Sequence, residues 1–195
     1  MWIEACRGVA FDARLEREAM SQICEGVGEV FSTEAPRART GLFVVTDNAG
    51  TATSLQFWSD AMRTGVDVAS PELFPWCLAN APCGALARLF HVSGPNATLL
   101  GESEALIAAL EAGADAFEDD TLDVIIVVAL SFAIEAGGAA LALRLGAASD
   151  AQWIAFDVAS ARNTLQSLTL RQGMAVLQHQ LATAQPAQKM FKTTS

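Results

Sequence analysis

The sequence predicts an α/β domain built on a mostly parallel mixed sheet with helices on both faces. Three observations carry that prediction. Segments with helical spacing alternate with short β-branched runs along most of the chain, and such alternation builds a sheet layered between helices. The run Val124-Ile125-Ile126-Val127-Val128-Ala129 has no polar alternation, as a strand covered on both faces requires. Of the 195 residues, 52% are hydrophobic and 17% charged, enough apolar material for one packed core and too little charge for disorder.

Taken in order, the first helix is expected over residues 14–30, where Leu15, Ala19, Ile23 and Val27 fall on one side. Leu42-Phe43-Val44-Val45 reads as a buried strand, and Asp47-Asn48-Ala49-Gly50 is turn chemistry. A helix over 55–63 ends in Thr64-Gly65, where glycine can take a left-handed C-cap. Ser70-Pro71 and Phe74-Pro75 mark an irregular passage. Asn80-Ala81-Pro82 opens a helix to about residue 91, with proline in the first turn where its missing N–H does no harm. Gly94-Pro95 breaks the chain before a short strand, Ala97-Thr98-Leu99-Leu100.

The helix over 103–112 is apolar nearly all round and should lie buried in the middle of the domain. Gly113 and the acidic loop Glu118-Asp119-Asp120 lead into the central strand at 124–129. Gly137-Gly138 precedes a strand over 139–145, with Ala139, Leu141, Leu143 and Leu145 on one face. A further strand is expected over 152–158. One helix over 160–182 follows, with Leu170, Met174, Leu177 and Leu181 aligned. With no internal repeat and no linker, residues 1–184 read as one domain and 185–195 as a flexible polar tail.

Charge and composition exclude several functions. The chain has 12 basic and 22 acidic residues, and no basic residue lies between positions 89 and 143. That stretch holds Glu102, Glu104, Glu111, Asp115, Glu118, Asp119, Asp120, Asp123 and Glu135. Such a surface repels a phosphate backbone, so nucleic-acid binding is not expected. It equally disfavours an anionic membrane or an acidic carrier protein on that face. The longest apolar run, 124–134, stops at Glu135, short of the roughly 20 residues a membrane-spanning helix needs. The amino terminus has no basic region leading into an apolar one, which reads as no secretory signal and makes the cytoplasm the expected compartment. Cys6, Cys24, Cys77 and Cys83 lack metal-ligand spacing and read as reduced, buried thiols. No metal and no cofactor is expected.

Four motifs occur in one order. Ser70-Pro71 and Phe74-Pro75 come first, then Asn80-Ala81-Pro82-Cys83-Gly84-Ala85-Leu86-Ala87. Gly94-Pro95-Asn96-Ala97-Thr98 and Glu135-Ala136-Gly137-Gly138-Ala139-Ala140-Leu141-Ala142-Leu143 follow. Together they resemble the SP-x-x-FP, NA-x-x-G-x-x-A, GPN-x-T/S and EGAGA-x-V-L patterns of β-ketoacyl synthases, members of the thiolase-like superfamily. The likeness covers roughly residues 41–146, the amino-terminal half of such an enzyme. The family's nucleophilic cysteine sits at a strand-to-helix elbow after GPN-x-T/S. Counting along the pattern puts Ser103, within Gly101-Glu102-Ser103-Glu104-Ala105, at its place. The histidines or asparagine that complete condensation belong to the family's second half, which this sequence lacks; His91 and His179 match no family motif.

Two readings of Ser103 stand side by side. Gly-x-Ser-x-Ala after a strand is similar to the nucleophile elbow of serine hydrolases, whereas a serine opening a helix serves as an N-cap that accepts a backbone N–H. The resemblance implies a non-condensing partner subunit of chain-length-factor type, in fatty-acid, polyketide or aryl-polyene biosynthesis. The alternative is a serine-dependent acyltransferase or thioesterase using Ser103. The resemblance also implies a homodimer or a heterodimer with a ketosynthase, paired through residues 97–100 across a two-fold axis. An acyl carrier protein would be engaged through that partner.

Overall fold

The computed structural model describes residues 1–33, 35–133, 137–146, 154–155 and 157–184. Along the chain run β1 (Trp2–Phe11), α1 (Glu16–Val27), β2 (Thr40–Thr46), α2 (Thr51–Thr64), α3 (Ala81–Leu89), β3 (Asn96–Leu100), α4 (Ser103–Glu118), β4 (Val124–Phe132), β5 (Gly138–Gly146), β6 (Ile154–Ala155), α5 (Val158–Leu165) and α6 (Leu170–Thr183). Single 3-10 turns occupy Gly28–Phe31, Arg37–Arg39, Val66–Val68 and Phe74–Cys77. The strands form one six-stranded sheet in the order β3-β2-β4-β5-β1-β6.

The predicted central strand is β4. All its residues are buried, and it lies between β2 and β5. Ile125, Val127 and Ala129 join Leu106 and Leu110 of α4, Leu165 of α5, and Leu170, Met174 and Leu177 of α6 in one core. Ile126, Val128 and Leu130 join Ala19, Ile23 and Val27 of α1 and Leu86 of α3 in the other. The period-two pleat of a single strand therefore feeds both helix layers.

The sheet is mixed, with helices on both faces, as expected. Its parallel share is smaller than expected: β2 pairs in parallel with β3 and β4, while β4–β5, β5–β1 and β1–β6 are antiparallel. β5 returns directly from β4 rather than through a crossover helix, and Ala133 N–H donates to Gly137 O (2.9 Å) near the start of the return. Among the described residues, no helix is long and apolar enough to cross a membrane.

Other elements also differ from the sequence reading. β1 was not read as a strand, since only Ile3 and Phe11 of its ten residues are buried and no alternation announces it. Gly113 does not end α4. It lies inside the helix, where a Cβ would stand 3.3 Å from Ile125 Cδ1, so it lets α4 sit close against β4. α4 buries only one side, with Ala108 and Ala112 exposed, because the sheet and helices α5 and α6 cover part of it and solvent the rest. The expected single helix at 160–182 is two, broken at 166–169, where Thr169 and Gln172 form a reciprocal capping box at the start of α6. The expected strand at 152–158 is limited to β6 among the described residues, and α5 already begins at Val158. Ile134, Glu135, Ala136, Gln152, Trp153 and the tail at 185–195 lie outside the described residues.

Polar ties fix elements that bury little apolar surface. Helix α2 leaves Leu55, Trp58 and Met62 exposed, yet its start is held by Glu16 of α1, which is fully buried. Glu16 accepts from Gly50 N–H (2.8 Å), Thr53 N–H (3.2 Å) and the Thr53 hydroxyl. A carboxylate there satisfies free N–H groups and suits the helix dipole. Across the sheet, Arg144 of β5 pairs with Glu4 of β1 (2.8 Å) and donates to the carbonyls of Val30 and Ser32. Glu16→Ala should destabilise the protein by about 1–3 kcal/mol, the cost of leaving buried donors unmet. Urea unfolding measures this, and Glu16→Gln should lose less because it keeps an acceptor.

Candidate functional site

β3 runs out at the sheet's edge, and the chain turns into α4 through Gly101 and Glu102. Gly101 N–H donates to Thr46 O (3.0 Å), which pins this elbow to the end of β2. The Gly94-Pro95-Asn96 segment leads into β3. A Cβ on Gly94 would stand 2.3 Å from Thr40 O, so only glycine fits where this loop crosses the start of β2. Cys83, from the Asn80-to-Ala87 motif, is buried with its thiol 3.7 Å from Ala97 O. Two of the sequence motifs therefore pack against each other and position the elbow.

Ser103 occupies the first position of α4 and is fully buried. Its Oγ lies 2.7 Å from both Leu165 O and Leu168 O, so its single proton is given to main-chain carbonyls at the α5–α6 connection. This corrects the N-cap reading: the cap position belongs to Glu102, which makes no side-chain cap bond, and the serine hydroxyl donates rather than accepts. The surroundings do not favour a nucleophile either. A serine attacks only when a neighbouring base takes its proton, and peptide carbonyls are not bases. Glu102 accepts from Leu170 N–H (2.6 Å), and Glu104 accepts from Ser167 N–H (3.3 Å). His91 and His179 are both exposed, on other elements. His91 follows α3 with a positive φ of 55°.

The structure adds a residue that sequence reading placed only in a turn. Asp47 follows β2 and accepts from the Ser131 hydroxyl of β4 (2.8 Å). Its second oxygen, Oδ1, is buried with no hydrogen-bond partner among the described residues. Burial raises the Asp47 pKa, the nearby Glu102 charge adds to the rise, and the Ser131 hydrogen bond opposes it. The available signal was its place immediately after a buried strand, at the carboxyl ends of parallel strands where α/β sheets build their crevices. The thiols of Cys6, Cys24 and Cys83 are not activated. Burial pushes Cys6 up to about 11, with Arg7 opposing, and likewise raises Cys24 and Cys83.

A carboxyl whose pKa is raised on folding contributes stability below its unfolded value and loses it as pH rises through the folded value. Asp47→Asn should therefore raise the melting temperature at pH 7. The gain should shrink as pH falls towards 3.8, the ordinary value for the group. Melting curves of both proteins across that range are the measurement.

No protein-family model matches the chain, and no curated protein matches it. Solved structures do. A chain of the ishigamide ketosynthase/chain length factor superposes with a TM-score of 0.52 at 15% identity, over 60% of this chain and 38% of that one. A chain from a ketosynthase in complex with its chain length factor, from Xenorhabdus doucetiae, gives 0.52 at 12% identity, over 70% and 58%. A chain from a type II PKS acyl-carrier protein in complex with its ketosynthase bound to the hexaketide gives 0.51 at 14% identity, over 65% and 44%. The chain thus spans between 38% and 58% of the length of these three structures. What it shares with them is their fold.

Proposed function

We propose that this chain is a non-condensing, ketosynthase-like partner subunit of chain-length-factor type, serving fatty-acid or polyketide biosynthesis of the aryl-polyene kind. The observation that carries this reading is Ser103: where the resemblance would put the nucleophile stands a buried hydroxyl committed to two carbonyls. Decarboxylative condensation needs a nucleophile, donors that hold the thioester carbonyl, and histidine or asparagine groups over the second substrate. His91 and His179 are both exposed and match no family motif. Among the described residues, the Ser103 hydroxyl has no hydrogen-bonded base, which the serine acyltransferase or thioesterase alternative would need.

Pairing is supported by two surfaces near each other in the chain order. Among the described residues, β3 is bonded on one side only, at the sheet's edge, with Leu100 65% exposed. An open strand edge favours pairing with another chain. Trp58, Met62, Val66, Val68, Phe74 and Leu78 are large exposed apolar side chains between β2 and β3 in the sequence, material that a partner surface could cover. In this reading residues 1–184 act as one unit in the cytoplasm. The partner is a ketosynthase or a second copy, and an acyl carrier protein is reached through the ketosynthase.

Two experiments test the proposal. Incubation with a fluorophosphonate or an acyl-thioester, followed by mass spectrometry, should leave Ser103 unlabelled; stoichiometric labelling would replace the subunit reading with the acyltransferase. Pull-down from the native host should retain a ketosynthase, and Leu100→Lys should weaken that retention at least tenfold by placing a charge at a buried contact. Equal retention of the variant would remove β3 from the interface.

A further inference from the structure

We propose that the α5–α6 connection is a latch that shuts the elbow from within the same chain and opens as one unit. The tie is made by consecutive side chains of the elbow, each holding main-chain groups of the connection. Glu102 takes the Leu170 N–H, Ser103 gives its proton to the Leu165 and Leu168 carbonyls, and Glu104 takes the Ser167 N–H. Gly173 lets α6 close against them, since a Cβ there would stand 3.1 Å from Ser103 Cβ. Arg162 of α5 pairs with Glu111 one side further along α4. The latch is independent of the proposed pairing with a ketosynthase.

The connection itself has the properties of a segment that opens locally. Gln166, Ser167 and Thr169 are exposed, and Leu165 and Leu170 anchor its two ends in the core. Ser167 is held at a φ of 69°, a left-handed conformation that costs a non-glycine residue energy and that opening relieves. Exposed backbone held by a few side-chain bonds belongs to the low end of local stability, well below a strand such as β4 that is buried throughout. Opening would free the Ser103 hydroxyl and the Glu102 and Glu104 carboxylates together, because the same connection holds all three. Any acyl group or partner segment that reaches the elbow must therefore displace the α5–α6 connection first.

Hydrogen–deuterium exchange on the intact protein tests this, comparing the natural chain with Glu102→Ala. Peptides covering 101–107 and 165–172 should exchange together, and loss of one bond to a charged acceptor should speed both by about tenfold. A peptide from β4 should be unchanged. A second readout uses Ser103→Cys as a reporter: its alkylation by iodoacetamide should be slow and should rise by the same factor when Glu102→Ala is added. The latch is overturned if the two peptides respond separately, if neither responds, or if they exchange only at the rate of β4. If the reporter variant fails to fold, exchange in the natural chain and Glu102→Ala decides the matter alone.

Discussion

Everything in this fold is referred to β4. A strand hydrogen-bonded on both sides and buried on both faces has no freedom to slip, because a shift of one residue would exchange its two sets of side chains between cores. Ile125, Val127 and Ala129 commit one face to α4, α5 and α6, and Ile126, Val128 and Leu130 commit the other to α1 and α3. The positions of β2 and β5 follow from its ladder. The elbow is placed indirectly by the same ladder: β2 is aligned by β4, and Gly101 is tied to the last residue of β2.

Beyond the apolar cores, the architecture relies on side chains of one element completing the backbone of another. Glu16 of α1 meets the open N–H groups of α2, and Glu102 at the cap of α4 meets the first N–H of α6. Arg144 of β5 meets carbonyls at the Gly28–Phe31 turn and just after it. Each tie satisfies groups that a helix end cannot satisfy itself. Each also gives direction, which apolar contact alone does not. The elbow is therefore built as a junction of helix ends, and its polar atoms are consumed in holding the structure together.

How much of this was legible in the sequence depended on the distance over which each signal acts. β4 was readable because an uninterrupted β-branched run has one physical meaning, and α1 because its apolar residues repeat on one side. β1 was not, as Arg7, Gly8 and Ala10 face solvent and erase its pattern. The break between α5 and α6 was written locally, in Thr169 and Gln172, but the aligned Leu170, Met174, Leu177 and Leu181 invited one continuous helix. The place of Ser103 at a strand-to-helix turn followed from the motif order. Its bonding did not, because Leu165 and Leu168 lie 62 and 65 residues further along the chain, and no local pattern encodes such a contact.

The exposed apolar side chains of α2 and the open edge of β3 have a colloidal consequence. They sit on a chain with a net charge of −10, so two identical copies approaching through that region repel over a Debye length of about 8 Å at physiological salt. A less acidic chain meets a lower barrier, and a basic one none. Charge thus sorts like from unlike before any contact forms, and added salt, by screening the repulsion, shifts the balance towards self-association.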